Sequence, residues 1–140
     1  MKILLAVDGS EHSNRVAMHV IRMVQNCADY EILLLNVQVP VDAPEVLGHM
    51  PVREVEAMQE ARGGDALAST RALLDSAGVT YEPEVALGAV AENIVRHAAE
   101  RNCDMIVMGT HGAGALKNAL MGSVTTGVIH LTDRPVTVVK

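Results

Sequence analysis

Apolar residues follow two alternating patterns along this chain, short continuous runs and stretches with helical periodicity. Continuous runs of Ile, Leu and Val are typical of strands that are covered on both faces of a sheet. Five such runs predict five buried strands, at Lys2–Val7, Glu31–Val37, Thr80–Ala86, Asp104–Met108 and Val136–Val139.

Helical periodicity appears between these runs. The first helix is expected to begin near Ser10 or Glu11, because apolar residues with i, i+3, i+4, i+7 spacing follow at Ala17, Val20, Ile21 and Val24. A later stretch has the same spacing at Ala91, Ile94, Val95 and Ala98. Both patterns indicate helices that pack one face against the sheet.

The stretch from Pro51 to Ala77 is helical in pattern but contains Gly63 and Gly64. Each glycine inside a helix costs about 1 kcal/mol relative to alanine. We therefore expect a kink or a break at these residues, with Asp65 capping a second helical half.

The alternation of strands and helices predicts an α/β fold of one domain over residues 1–140, a length that suits a single core. The expected architecture is a doubly wound, five-stranded parallel sheet in the order 3-2-1-4-5, with helices on both faces. In such sheets ligands bind at the carboxyl ends of the strands, where the winding direction reverses. That place lies between strands one and four, which end at Asp8 and Gly109.

A glycine-rich segment follows the fourth strand. Gly109, Gly112, Gly122 and Ser123 are spaced Gly-x2-Gly-x9-Gly-Ser between a predicted strand and a predicted helix. Such a loop offers an anion unpaired N–H groups and the positive end of the helix dipole. The segment therefore predicts a phosphate site, and the alternative is a surface loop that merely happens to be rich in glycine. It has neither the Walker A spacing nor the dinucleotide-binding spacing.

Several residues of this segment have side chains or backbones suited to a phosphate. Gly112 and Gly122 let the backbone approach closely, since a Cβ would intrude into the phosphate space. Ser123 is expected to cap the helix and to donate its hydroxyl to a phosphate. Thr125 is either a second hydroxyl donor or a plain first-turn residue.

The charged candidates each have two interpretations. Asp8 either holds a ribose hydroxyl or a phosphate-bound Mg2+, or it stabilises the turn into the first helix. Lys117 either neutralises outer phosphates or is a solvated loop lysine, and His111 either contacts the ligand or is simply exposed. The histidines do not indicate a metal site, since His12 and His19 would lie about 10 Å apart along a helix.

Composition narrows the classes of ligand and partner. The net charge of −6 argues against a nucleic-acid or anionic-membrane partner, and no apolar run is long enough to span a membrane. With no Phe, no Trp and only two Tyr, an adenine pocket would be lined by aliphatic side chains and read by backbone groups. Cys27 and Cys103 form no CxxC pair and the first apolar run is too short for a signal peptide, so we expect reduced thiols in a cytoplasmic protein.

The glycine pattern resembles the ATP-binding signature of the universal stress protein family at every fixed position. Four other segments resemble the first strand with its acidic turn, the second strand, the entry to the third helix and the closing turn of that family. These are Ile3–Ser10, Leu33–Val37, Gly88–Ile94 and Asp133–Val136. The resemblance thus extends over the whole chain.

This resemblance implies an ATP site, residue by residue. Ala6, Val7 and Asp8 would lie under the ribose and adenine, although some ATP-binding members carry Pro at the position of Ala6. Val37 would offer backbone hydrogen bonds to adenine. The sugar would be flanked by Met108 and Gly109, and the phosphates would be surrounded by Gly112, Gly122, Ser123, Val124 and Thr125.

The resemblance also implies a function, that of a stress-response module whose occupancy by ATP, with Mg2+, is the signal to a downstream protein. No general base or Gly-x-Ser-x-Gly elbow stands out, so we assign no catalytic residue. Two alternatives stay open, a slow ATPase and an interaction protein that does not use nucleotide.

Two further expectations concern assembly and motion. Val136–Val139 is an apolar strand at a sheet edge, which predicts a homodimer through this strand. The resemblance implies that the two final strands pair antiparallel. The segment Gln38–Met50 is long for a connection in a compact domain, and we expect it to be a mobile lid beside the adenine.

Overall fold

The computed structural model describes residues 1–40, 48–112 and 120–140. Within these ranges five strands alternate with four helices. In chain order they are β1 (Lys2–Ala6), α1 (Glu11–Val24), β2 (Glu31–Gln38), α2 (Val52–Ser76), β3 (Glu82–Leu87), α3 (Val90–Glu100), β4 (Met105–Gly109), α4 (Ser123–Leu131) and β5 (Val136–Val139). The five predicted strands are confirmed, with ends that differ from the prediction by at most two residues, and α1 begins at Glu11 as expected.

The strands form one parallel sheet in the predicted order, β3-β2-β1-β4-β5. Lys2–Ala6 of the central strand β1 pair with Glu31–Leu35 of β2, and Ile3–Leu5 pair with Met105–Val107 of β4. The chain is wound to one side of β1 first and to the other side afterwards. The winding direction therefore reverses between β1 and β4, and the connections leave these two strands in different directions.

Apolar side chains fill a separate layer on each face of the sheet. Ile3 and Leu5 of β1 pack in one layer with Val20 of α1, whereas Leu4 packs in the other layer with Ile94 of α3. Successive side chains of a strand point to opposite faces, so a continuous apolar run supplies both layers at once. This packing explains why the strands carry no polar alternation.

The predicted break in the long helix is wrong. α2 is continuous from Val52 to Ser76, and Asp65 is an exposed residue within it rather than a cap. Gly63 is buried against β3, where a Cβ would lie 2.3 Å from Cγ1 of Val85. The glycine therefore lets the helix pack closely on the strand, and this contact offsets its low helix propensity.

A charged cluster fastens α3 to the edge strand β3. Nε2 of the buried His97 lies 3.1 Å from Oε1 of Glu84, and its Nδ1 lies 2.7 Å from the carbonyl oxygen of Asn93. Arg101 donates hydrogen bonds to Glu84 (2.9 Å) and Glu82 (2.7 Å). Each ring nitrogen of His97 therefore faces an oxygen of a neighbouring residue.

The same cluster sets the ionisation of Glu84. Burial by itself would raise the pKa of this carboxyl group. The hydrogen bond from Arg101 and the positive charges of His97 and Arg101 outweigh burial, and together they lower the pKa below its ordinary value. α3 is thus held by a carboxylate that is stabilised in its charged form.

Among the described residues, no helix combines the length and the apolar character that crossing a bilayer would require.

Candidate functional site

A cleft of about 460 Å³ opens at the carboxyl ends of the strands, between β1 and β4. Its position is the place where the winding direction reverses, and its volume is in the range of small-molecule sites. All eleven residues proposed from the sequence line this one cleft: Ala6, Val7, Asp8, Val37, Met108, Gly109, Gly112, Gly122, Ser123, Val124 and Thr125.

One wall of the cleft is aliphatic. Ala6, Val37 and Met108 reach it from three strands, and Val90 and Ile94 reach it from α3. These side chains belong to the apolar layer under α3 and α4, so the wall is continuous with the core. Neither Phe, Tyr nor Trp is among the described residues that line the cleft. This wall can therefore contact a flat apolar group only by aliphatic packing.

The backbone of Val37 is placed to hydrogen-bond a ligand on this wall. The N–H of Val7 donates to the carbonyl of Leu35 (3.0 Å), so the backbone groups of Leu35 point towards β1. Backbone groups two residues apart in a strand point to the same side. Since the β1 ladder ends at Ala6, the N–H and C=O of Val37 point past the end of that strand.

Asn36 holds the end of β1 beside this wall, a role that the sequence analysis did not assign. The Nδ2 group of this buried residue donates to the carbonyl of Val7 (2.8 Å), and Gln38 donates to its Oδ1 (2.7 Å). The sequence does hint at this role, because Asn36 is a single amide within the apolar run Glu31–Val37. A buried amide needs polar partners.

Asp8 stabilises the turn from β1 into α1. Its Oδ1 accepts hydrogen bonds from the N–H of Ser10 (3.0 Å) and the hydroxyl of Ser13 (2.9 Å). Its own N–H donates to Oγ of Ser13 (3.0 Å), so this buried serine, also missed from the sequence, fixes the turn from both sides. The interpretation of Asp8 as a turn residue therefore holds, and the carboxylate also lines the cleft.

Oδ2 of Asp8 lies against the glycine loop. A Cβ built on Gly112 would come within 2.6 Å of this oxygen. The absence of a side chain at Gly112 is what allows the loop after β4 to approach the carboxylate. The end of β1 and the loop after β4 thus meet at the Asp8 carboxylate.

The N-terminus of α4 also lines the cleft. The first hydrogen bond of the helix runs from the N–H of Thr126 to the carbonyl of Gly122 (3.0 Å). The N–H groups of Ser123, Val124 and Thr125 precede it, and these three residues line the cleft. Its N-cap residue, Gly122, has no side chain with which to cap this end of the helix. The arrangement offers an anion three backbone donors and the positive end of the helix dipole.

One expectation about this helix end is wrong. Gly122 rather than Ser123 occupies the N-cap position, and Ser123 is the exposed first residue of the helix. A Cβ on Gly122 would lie 3.4 Å from the carbonyl oxygen of Thr110 and 3.6 Å from Cα of His111, which is ordinary van der Waals contact.

Thr125 has a structural partner. Its buried hydroxyl donates to the carbonyl of Gly109 (2.9 Å), and the N–H of Gly122 donates to the carbonyl of Thr110 (2.7 Å). A hydroxyl has one proton to donate, so Thr125 contributes its backbone N–H rather than its side chain to the cleft. The two bonds fasten α4 to the end of β4.

Two histidines also line the cleft. His111 lies beside Thr110, with Nδ1 3.1 Å from the threonine hydroxyl, and its ring centroid is 6.4 Å from that of His12. In the described ranges no group of three or more His, Cys, Asp or Glu residues has the arrangement of a metal site. Lys117 and the central part of the proposed Gln38–Met50 lid lie outside the described residues.

The comparisons with known proteins agree on one family. The model of the universal stress protein family matches residues 1–140. Universal stress protein MJ0531 of Methanocaldococcus jannaschii is 33% identical, and the alignment covers 99% of this chain and 81% of that protein. A universal stress protein of Thermus aquaticus is also 33% identical, with 99% of this chain and 97% of that protein covered.

Solved structures share the fold. Protein MJ0577 of M. jannaschii superposes with a TM-score of 0.84 at 29% identity, covering 99% of this chain and 94% of that chain. A universal stress protein in complex with cAMP has a TM-score of 0.74 at 20% identity, with coverage of 100% and 97%. A family member from Arabidopsis thaliana with AMP bound has a TM-score of 0.70 at 22% identity, with coverage of 100% and 91%.

Proposed function

This chain belongs to the universal stress protein family, and from that premise we propose that residues 1–140 form an ATP-binding domain. Occupancy of the domain by ATP, with Mg2+, is the signal that it contributes to a stress response. We place the protein in the cytoplasm, in keeping with its two free cysteines, Cys27 and Cys103.

One observation carries this proposal. A single cleft combines a helix N-terminus whose N-cap is glycine with an aliphatic wall that has outward-facing backbone groups. The three leading N–H groups of α4 suit the phosphates. The wall around Val37 suits adenine, which its N–H and C=O can recognise without aromatic stacking. Ala6 of β1 and Gly109 of β4 also line the cleft, and we assign the sugar to these two small residues.

Asp8 suits the part of the ligand between sugar and phosphates. Its carboxylate lines the cleft, and its Oδ2 lies next to the glycine loop at Gly112. A carboxylate oxygen is a preferred ligand of Mg2+ and an acceptor for ribose hydroxyls. Both interpretations of Asp8 as a ligand contact are compatible with its bonds to Ser10 and Ser13, which engage Oδ1.

The comparisons support an adenine nucleotide as the ligand class. Two universal stress proteins with this fold were solved with AMP and with cAMP. Triphosphate, rather than monophosphate, is our choice because the Gly-x2-Gly-x9-Gly-Ser spacing is complete in this chain.

The residues of the cleft favour ATP binding without efficient ATP hydrolysis. Rapid hydrolysis requires a group that orients the attacking water, and Oδ1 of Asp8, the cleft's described carboxylate, is already engaged in the turn into α1. A slow ATPase is the alternative. It would be favoured by steady turnover above background that Asp8→Ala abolishes.

A melting series with ATP and Mg2+ tests the proposal. ATP at one hundred times its dissociation constant should stabilise the protein by about 2.7 kcal/mol. Gly122→Val should abolish this shift, because a branched side chain would press on the Thr110–Gly112 backbone and displace the phosphate donors. Calorimetric titration should give a matching loss of binding heat.

Gly64→Val is the matched control, since it adds the same side chain at a helix position where a Cβ has no neighbour within 4 Å. This variant should keep the ATP shift. Absence of both shift and heat at millimolar ATP in the unmodified protein would contradict the proposal. The interaction-protein alternative would then take its place.

We also propose a homodimer through β5. Val136, Thr137, Val138 and Val139 are half-buried, and the strand forms one edge of the sheet. An apolar edge strand with unpaired backbone groups favours pairing with a second copy.

A further inference from the structure

Asn36 lies outside the described lining of the cleft but is bonded to a residue that lines it. It is a buried residue of β2, and its Nδ2 group donates to the carbonyl of Val7 over 2.8 Å. Val7 lines the cleft, as does Val37, the next residue of β2. A buried polar contact thus connects the interior of the sheet to the wall that we assign to the base.

The hydrogen bond from Asn36 is made where the next bond of the parallel ladder would form. Extending the ladder by one residue needs two bonds, from the N–H of Val7 to Leu35 and from the N–H of Val37 to Val7. The first bond is present, at 3.0 Å. The register of the described strands nevertheless ends at the pair Ala6–Leu35, so the second bond is not formed. The carbonyl of Val7 is bonded to the side chain of Asn36 instead.

The side chain of Asn36 approaches that carbonyl from one face of the sheet. Leu34 packs in the apolar layer under α1 and α2, and side chains two residues apart in a strand point to the same face. Asn36 therefore reaches Val7 from that face, whereas Val37 packs with the layer under α3 and α4. A donor on that face competes with the in-plane N–H of Val37 for the carbonyl.

Gln38 fixes the orientation of the Asn36 amide. Its Nε2 donates to Oδ1 of Asn36 over 2.7 Å, and its own carbonyl accepts from the N–H of Gly88 (3.0 Å), just after β3. Because a carbonyl can only accept, the amide of Asn36 has to present Nδ2 to Val7 and Oδ1 to Gln38. The end of β3 thus supports the contact between β2 and the end of β1.

We propose that Asn36 and Gln38 are positioning residues that make the site selective for adenine. The inference rests on the proposed function. By occupying the carbonyl of Val7, the Asn36 amide leaves the N–H and the C=O of Val37 to the base. This pair donates to a ring nitrogen and accepts from an amino group, as N1 and N6 of adenine require. Hypoxanthine has a proton on N1 and an oxygen at position 6, so both contacts would be lost.

Titration with ATP and with inosine triphosphate tests the selectivity, because the two bases differ only at N1 and position 6. The unmodified protein should bind ATP at least about tenfold more tightly. Asn36→Leu has a similar shape but no donor, so Val37 should bond to Val7 and the preference for ATP should largely disappear. Inorganic triphosphate should bind both proteins equally. A merely structural loss would weaken both nucleotides by the same factor.

Asn93→Leu is the matched control. Asn93 is also buried, and its Nδ2 donates to the carbonyl of Ala89 (2.8 Å), outside the described lining of the cleft. This variant should keep the preference for ATP. Gln38→Met should reduce the preference less than Asn36→Leu does, because it frees the orientation of the Asn36 amide without removing the donor.

Amide hydrogen exchange of the unmodified protein gives a readout that needs no variant. The N–H of Val37 should exchange faster than that of Leu35, which belongs to the β1 ladder. ATP should slow the exchange of Val37, and inosine triphosphate should not. Equal protection of the two amides without nucleotide would overturn the inference, because Val37 would then already have a partner.

The outcomes separate the two proposals. If ATP binds but Asn36→Leu keeps the preference over inosine triphosphate, or the unmodified protein has none, the positioning role is overturned and the nucleotide site stands. If neither nucleotide binds, both proposals are overturned.

Discussion

The two oxygens of Asp8 illustrate how single atoms shape this site. Oδ1 is held by two donors in the turn after β1, and this fixes where Oδ2 meets the loop at Gly112. A carboxylate that is positioned by its protein partners needs no reorganisation when a ligand arrives. Sequence alone offered the structural and the ligand-binding interpretation as alternatives, whereas the geometry is compatible with both at once.

Residues whose role depends on close contact were the least predictable at this scale. All eleven site residues named from the sequence reach the cleft. The N-cap role of Ser123 and the donor role of the Thr125 hydroxyl failed, because each depends on where the loop backbone lies. Asn36 was missed as a supporting residue because its partner, Val7, is distant in sequence. Ser13 supports Asp8 and His12 lines the cleft, and both are common residue types that do not by themselves indicate such roles.

Glu84 predicts how stability depends on pH. Because its pKa is lowered in the folded protein, its charged form stabilises the fold above the unfolded value and this contribution is lost as pH falls through the folded pKa. Glu84→Gln should therefore be less stable than the unmodified protein near pH 7, and the gap should narrow in acid. Urea unfolding of both proteins from about pH 7 to about pH 3 measures this.

Glu82→Gln is the control, because Glu82 shares Arg101 but is far more exposed, 59% against 29% for Glu84. Its effect should be smaller at every pH. A gap for Glu84→Gln that stays constant down to acid would contradict the assigned role of the carboxylate.

At the scale of elements, α2 shows why a local propensity rule failed while the strand rule succeeded. The strands supply side chains to both apolar layers, so a continuous apolar run is enough to predict a buried strand. Gly63 instead depends on a contact with Val85 of β3, and the sequence around Gly63 does not indicate that contact. Low helix propensity of glycine predicted a break in α2, but the packing of α2 on β3 keeps the helix continuous.

Gly63→Ala and Gly64→Ala should therefore have opposite effects. At position 63 the added methyl group would overlap Val85, and we expect a loss of about 1–3 kcal/mol in the free energy of unfolding. At position 64 the methyl group meets no atom within 4 Å, and alanine should stabilise the helix by up to about 1 kcal/mol. Urea unfolding measures both values.

A paired substitution checks the cause. Val85→Ala in the Gly63→Ala background should recover part of the lost stability, because it removes the overlapping methyl groups. If Gly63→Ala and Gly64→Ala have equal effects, contact with Val85 does not explain the continuous helix.

At the scale of the whole molecule, the sheet has two different edges. β3 is fastened by the charged cluster to α3, whereas β5 pairs with β4 and has half-buried valines. The N–H of Ile106 donates to Pro135 and the N–H of Thr110 donates to Val139, so odd-numbered residues of this segment face β4. Val136 and Val138 therefore point their backbone groups to the open edge.

Val138→Pro should separate the proposed dimer and keep the fold. Proline removes an N–H that faces the open edge, and the hydrogen bonds to β4 stay intact. Sedimentation at micromolar concentration should show a dimer for the unmodified protein and a monomer for the variant. Thr137→Pro, which removes a donor on the β4 side, should instead lower the melting temperature. A monomeric unmodified protein would contradict the dimer.

The fastening of α4 to β4 has a consequence for how the cleft receives an anion. The bonds from Gly122 to Thr110 and from Thr125 to Gly109 join the start of the helix to the end of the strand through residues that lie outside 113–119. The leading N–H groups of α4 are therefore held at a fixed height above the sheet by the protein itself. An anion that binds them loses little free energy to the ordering of its donors, so its affinity reflects the contacts that it makes.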